Sequence, residues 1–175
     1  MGIVERVSIP LPTYDQVLEL PAQRTQAVPP EFIDVNGHMN IGRYLQLGAE
    51  GVWVRCSEDF AMGEDYIPER GLSNFTAEHH IRYLAEVLEG EEVSTHVRLL
   101  SRSDKVIHAM ALILNRSRQR LACTVEVTLL HVDMAGRRAV RFPDDIAPRL
   151  DAALKADDLD WPAPVCGSMG PNRPS

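Results

Sequence analysis

The sequence predicts an α+β domain in which an antiparallel sheet of about five strands wraps around one long central helix. Two observations carry this. From residue 40 to about residues 57–60, apolar residues recur three or four apart, at Ile41, Tyr44, Leu45, Gly48, Val52 and Cys56, the period of an amphipathic helix. Four strand-like segments then follow one another with short polar connections. Four consecutive antiparallel strands leave one broad face to be covered, and no other helix in the chain is long enough to cover it.

Residues 1–23 hold Pro10, Pro12 and Pro21, have no clear period and read as an N-terminal arm. Residues 24–28 read as a short strand closed by Pro29 and Pro30. After the long helix, residues 61–71 read as a loop or one helical turn. Residues 74–83 form the next expected strand, and residues 92–101 place Val93, Thr95, Val97 and Leu99 on one face. Residues 105–115 (KVIHAMALILN) are apolar on both faces, as expected of a central strand covered twice. Residues 121–133 alternate Leu121, Cys123, Val125, Val127 and Leu129 against Ala122, Thr124, Glu126 and Thr128. The connections at 88–92, 101–104 and 116–120 have hairpin character, and residues 133–136 turn the chain out of the last long strand. A short helix over 144–155 closes a domain spanning 24–157. Residues 158–175 are rich in Pro, Gly and Ser and read as a flexible tail.

The chain has 25 acidic and 18 basic side chains, for a net charge of −7. That balance argues against general binding to nucleic acid or to an anionic membrane. No apolar run approaches the roughly 18 residues of a membrane span. The first residues lack the charged-then-apolar layout of a secretory leader. Cys56, Cys123 and Cys166 form no CxxC pair. Cys56 and Cys123 fall on apolar faces and read as small core residues, and unpaired cysteines imply a reducing, cytoplasmic compartment. His79 and His80 are neighbours on a strand, so they point to opposite faces and do not chelate one ion together; no metal is expected. His108 and His131 read as paired core histidines. Arg98, Arg102, Lys105 and the arginines of 115–120 are either solvated turn residues or ligands for anionic phosphates.

The densest polar cluster lies in FIDVNGHMNIGRY, residues 32–44. A connection into a helix needs one Asn or Asp and a Gly. Here Asp34, Asn36, Gly37, His38 and Asn40 stand together. An Asx-type turn and an N-cap would account for Asp34 and Asn40 but leave Asn36 and His38 unexplained.

The stretch DVNGHMNIGRYL (34–45) resembles the D-x-N-x-H-x-N motif of hotdog-fold thioesterases, including 4-hydroxybenzoyl-CoA-thioesterase-like enzymes and the plant acyl-carrier-protein thioesterases. The likeness extends more weakly over about 24–133, including HIRYLAEVLEGEEV (80–93). It implies the hotdog fold, thioester hydrolysis, and catalytic roles for Asp34, Asn36 and His38. It also implies a carboxylate at Glu86, found by matching the family's Tyr to Tyr83, although Val87 stands where the plant enzymes have Cys.

The chemistry is consistent with that resemblance. Asp34 supplies a carboxylate, as nucleophile or as base on water. Gly37 allows close backbone approach. The helix beginning near Asn40 offers free N–H groups and a positive dipole end to a developing oxyanion. His38 and Asn40 are placed to orient these groups. No cofactor is expected beyond the coenzyme A of the substrate.

NGHMNIGRYLQ, FTAEHHIRYLAEV and LLHVD also resemble the thioesterase region linked to carnitine catabolism, which occurs fused to carnitine dehydrogenases or alone as betainyl-CoA thioesterase. This implies an acyl group with a trimethylammonium head, for which aromatic faces and carboxylates are the natural partners. Trp53, Tyr66, Phe75, Glu50 and Glu78 are the available types, and Trp53, Phe75 and Glu78 are the expected substrate contacts. Aromatic or medium-chain acyl-CoAs, and a non-catalytic acyl-CoA-binding module, are the alternatives. The free edge strand of such a sheet predicts a homodimer and allows a dimer of dimers.

Overall fold

A computed structural model describes residues 10–171; the first nine residues of the expected arm and the last four of the expected tail lie outside them. In chain order the elements are α1 (Tyr14–Val17), β1 (Ala22–Ala27), α2 (Ile41–Phe60), α3 (Tyr66–Arg70), β2 (Leu72–Tyr83), β3 (Glu92–Arg102), β4 (Val106–Asn115), β5 (Arg120–Asp133), β6 (Arg138–Ala139) and α4 (Ala147–Ala156). The sheet is antiparallel in the order β1-β3-β4-β5-β2, with the short β6 added to β5. It curls around α2, as expected. Among the described residues no helix is long and apolar enough to cross a membrane.

The inner face of the sheet carries Val93, Thr95, Val97 and Leu99 of β3, Ile107, Ala109, Ala111 and Ile113 of β4, and Cys123, Val125, Val127 and Leu129 of β5, and α2 lies on it. The helix backbone comes unusually close. A methyl group on Gly48 would sit 2.8 Å from Val125 Cγ2, and one on Gly51 would sit 2.4 Å from Thr95 Cγ2. Glycine is therefore required by packing at both positions. The buried side of α2 is Tyr44, Leu47, Gly48, Gly51, Val52, Arg55, Cys56 and Phe60. Ile41, which the helical spacing placed on the apolar face, is 62% exposed at the first position of the helix. Arg55 is buried because it donates to the Val97 carbonyl at 3.2 Å and pairs with the buried Asp157 at 3.1 Å.

The outer face is covered by the two ends of the chain. Val17, Leu20 and Trp161 pack on Met110, Leu112 and Leu114 of β4. This second cover explains why β4 is apolar on both faces. It also corrects the expectation of a flexible tail as far as residues 158–171 are described. Trp161 is 3% exposed, and the buried Arg98 donates to the carbonyls of Asp157 (3.0 Å), Trp161 (2.7 Å) and Leu159 (3.2 Å). A Pro-rich segment forms few backbone bonds of its own, so an arginine and an apolar sheet face hold it instead. Arg98 is thereby removed from the candidate phosphate ligands. Arg116 and Arg102 are likewise engaged, with Glu92 at 2.8 Å and Asp151 at 2.6 Å, and Arg118 pairs with Glu91.

Candidate active site

The motif forms a small closed loop ahead of α2. The Asp34 N–H donates to the His38 carbonyl at 3.1 Å, and the Gly37 N–H donates to the Asp34 carbonyl at 3.0 Å. Gly37 has φ +80°, a left-handed conformation that a side chain would strain. Ile33 and Met39 bridge across the base of the loop. Asp34 Oδ1 accepts the Asn36 N–H at 2.8 Å, an Asx turn. Asn40 caps α2: its Oδ1 accepts the Gly42 N–H at 2.9 Å, and its carbonyl accepts the Arg43 N–H at 2.9 Å. Its amide nitrogen reaches Asp34 Oδ2 at 3.4 Å.

Turn and cap therefore use one Asp34 oxygen and most of Asn40. Asp34 Oδ2 retains only the long contact from Asn40, and the cap does not take up the Ile41 N–H ahead of it. Asp34 and Asn40 face an open groove shared with Glu31, Ile33, Gly42, Arg43 and Gln46. Asn36 is exposed, and His38 is half-buried with Nδ1 3.4 Å from the Met39 carbonyl.

Three bonds tie this loop and the first turn of α2 to the end of β2 and the chain just beyond it. The Met39 N–H donates to the Val87 carbonyl at 2.8 Å, the Tyr44 hydroxyl to the Ala85 carbonyl at 3.1 Å, and the Tyr83 hydroxyl to the Ile41 carbonyl at 3.4 Å. The two tyrosine rings meet edge to face at 5.5 Å. Glu86 lies within this segment, in the loop past the end of β2 rather than on the strand. Its carboxylate is exposed and 3.9 Å from Arg118, and it makes no contact with Asp34, Asn36 or His38.

The expected substrate contacts divide between the two faces of the sheet. Residues directly opposite in an antiparallel pair share a face. Phe75 opposes Leu130 and Glu78 opposes Thr128, so both point to the outer face, and the Arg137 guanidinium lies 5.5 Å from the Phe75 ring centre. Trp53 lies on the inner side. The structure does not bring these three together, because a bulge between Thr76 and Glu78 resets which β2 residues face inward. Glu50 is held by Arg24 at 2.8 Å, near β1.

A cavity of about 260 Å³ opens beside α2. Gly48, Val52, Trp53 and Cys56 of the helix form one wall and Val125, Val127 and Leu129 of β5 another. Its lining includes Glu64, Tyr66 and His79, of which only Tyr66 is among the candidate residues for a trimethylammonium head. Its register opposite inward-facing Val127 places His79 here, whereas the neighbouring His80 points to the other face.

Tyr66 is fixed from behind. Its hydroxyl donates to His131 Nε2 at 2.9 Å, while His131 Nδ1 donates to the Val140 carbonyl at 3.1 Å. The carbonyl can only accept, so it fixes Nδ1 as the protonated nitrogen, and the hydroxyl is placed to donate to Nε2 of the neutral ring. Burial lowers the His131 pKa and raises that of Tyr66 to about 12. Burial lowers the His79 pKa as well, and raises the Cys56 and Cys123 thiols to about 12, so these thiols are inert core residues.

A stand-alone betainyl-CoA thioesterase of Pseudomonas aeruginosa is 33% identical over 128 residues, covering 73% of this chain and 79% of that protein. An L-carnitine dehydrogenase/betainyl-CoA thioesterase of Agrobacterium fabrum is 37% identical over 120 residues, which cover 69% of this chain and 24% of that protein. The chain thus spans about a quarter of the fused relatives it matches. A Staphylococcus aureus protein solved in complex with CoA superposes with TM-score 0.78 at 22% identity, covering 86% of this chain and 96% of that one. A 1,4-dihydroxy-2-naphthoyl-CoA thioesterase from Synechocystis gives 0.64 at 16% identity, covering 79% and 97%. The fold is that of the hotdog thioesterases, and the match of residues 28–150 to the thioesterase-like superfamily places this chain in that family.

Proposed function

We propose that this chain hydrolyses acyl-CoA thioesters with the Asp34 carboxylate. One observation carries the reading: Asp34 Oδ1 is pinned by the Asn36 N–H at 2.8 Å, while Oδ2 is turned toward the N-terminus of a twenty-residue helix with only a 3.4 Å contact to Asn40. Asp34 takes a proton from water, and the oxygen adds to the thioester carbonyl. The oxyanion is stabilised at the helix N-terminus. Collapse breaks the C–S bond, and the thiolate leaves with the proton that Asp34 holds. If Asp34 instead attacks directly, it displaces the thiolate to form a mixed anhydride, and a single turnover in heavy-oxygen water labels the Asp34 carboxylate when water opens that anhydride at the aspartyl carbon. The test of the activity is thiol release from a panel of acyl-CoAs. Asp34→Asn should reduce turnover by about two orders of magnitude or more with the melting temperature retained. An unchanged rate removes Asp34 from the mechanism.

The working unit in this reading is a dimer. At a rise of 1.5 Å per residue, Trp53 lies roughly 20 Å along α2 from Asn40, so the cavity and the carboxylate of one chain are far apart. β2 is an open sheet edge. A two-fold pairing of β2 with a second copy reverses the partner's α2 and brings its motif toward this cavity. Light scattering gives the mass, and mixing Asp34→Asn with the cavity-filling Val127→Trp should restore part of the lost activity.

The acyl group favoured by the named relatives is betaine. Trp53 and Tyr66 supply aromatic surface and Glu64 a carboxylate at the cavity, in place of Phe75 and Glu78. Betainyl-CoA should be hydrolysed at least about tenfold faster than its neutral tert-butylacetyl isostere; equal rates would sink the betaine reading.

A further inference from the structure

We propose that His80, Glu126 and Cys166 form a binding site for zinc or a similar dication on the outer face of the sheet, fastening the C-terminal segment to β2 and β5. His80 and Glu126 are directly opposite each other in the β2–β5 ladder and share that face. Cys166 arrives from the tail, delivered by the Arg98 clamp and by its own N–H, which donates to Glu126 Oε2 at 2.7 Å. One donor atom from each of the three residues lies within 4.8 Å of the other two. The site is on the opposite face of the sheet from the cavity, so it stands independently of the thioesterase reading.

The geometry is close to that of a metal centre. His80 Nδ1 is 3.8 Å from Glu126 Oε2. Zinc bonds of about 2.0–2.3 Å in a tetrahedron hold neighbouring ligand atoms roughly 3.3–3.8 Å apart. Cys166 Sγ rests 3.2 Å from Ser168 Oγ and has only to turn inward. His80 and Cys166 both reach solvent, which leaves a fourth position to water.

The supporting layer is already in place. Glu126 is 1% exposed, and a buried carboxylate requires compensation. His108 Nε2 donates to Glu126 Oε1 at 2.8 Å, leaving Oε2 directed at His80 and Cys166. His108 Nδ1 is in turn 3.4 Å from Ser101 Oγ. A carboxylate ligand oriented by a histidine, itself oriented by a hydroxyl, is the outer-shell arrangement of metal sites. An imidazole, a carboxylate and a thiolate suit zinc better than magnesium or calcium, which favour oxygen ligands alone.

The test uses the full chain stripped of metal. Zinc is titrated in competition with a chromophoric chelator, and cobalt(II) serves as a spectroscopic substitute. Expected are one equivalent per chain, a thiolate-to-cobalt band in the near ultraviolet, and a melting temperature that rises with zinc. Cys166→Ser should abolish the band, and Cys166→Ser and His80→Ala should each weaken zinc binding by about tenfold or more. Both side chains reach solvent, so both variants are expected to fold, and circular dichroism checks it. The absence of binding in the wild type, or binding that neither variant weakens, would show a hydrogen-bonded network only and overturn the proposal.

Discussion

Asn40 couples the carboxylate of Asp34 to the start of the central helix: its Oδ1 accepts the Gly42 N–H at 2.9 Å while its Nδ2 reaches Asp34 Oδ2 at 3.4 Å. One side chain thus caps the helix and orients the acid. Asn40→Ala should cost about 1 kcal/mol from the lost cap. Asn40→Asp keeps the cap acceptor, loses the donor to Asp34 and sets a second carboxylate beside it. Its stability should stay near wild type while turnover falls by about tenfold or more. Thermal melts and thiol-release rates separate the two effects, and equal turnover in Asn40→Asp and wild type would deny the coupling.

The contact between Gly51 and Thr95 sets how closely α2 approaches the sheet. An added methyl at Gly51 would meet Thr95 Cγ2 at 2.4 Å and Cβ at 3.2 Å. Gly51→Ala should lose about 1–3 kcal/mol in chemical denaturation. Thr95→Ser removes the nearer atom, so the double variant should recover part of that loss.

Trp161 carries the outer layer. It covers Leu112 and Met110 and lies 4.4 Å beneath the Arg98 guanidinium. Trp161→Ala should destabilise the chain by about 3 kcal/mol or more. A melting temperature within a degree of wild type would mean that the tail contributes little to the fold.

Acid should destabilise the protein through its buried histidines. His131 accepts from Tyr66 and donates to Val140, and His96 donates to the Leu20 carbonyl at 2.8 Å and sits 2.9 Å from Ser94 Oγ. Burial lowers both pKa values. A histidine whose folded pKa lies below its unfolded value contributes stability present above about pH 6.5 and lost as pH falls toward the folded value, because the unfolded chain binds the proton first. Stability measured from pH 7.5 to 5.5 should therefore fall, and the fall should be shallower in His131→Gln.

Much of this was legible in the residue order. The apolar period from Tyr44 to Cys56, the alternation in β3 and β5 and the doubly apolar β4 reflect local geometry, so pattern alone located them. The density of polar residues at 34–40 likewise marked the loop, and its turn, glycine and cap are short-range features. Glu86, Phe75 and Glu78 show where such reading stops. Glu86 falls past a strand end that depends on pairing with β5, and the faces of Phe75 and Glu78 depend on one bulge beside Ala77.

By itself the sequence determined the element order, the helix that fills the sheet and the loop that presents Asp34. Each follows from periodicities and turn chemistry acting over a few residues. Only the tertiary structure decided that residues 158–171 are packed, that His79 faces the cavity while His80 faces Glu126, and that Cys166 joins them. Those outcomes rest on strand register and on long-range anchors such as Arg98 to the Trp161 carbonyl. The energies that select them come from pairing and burial between distant segments, which no local pattern records.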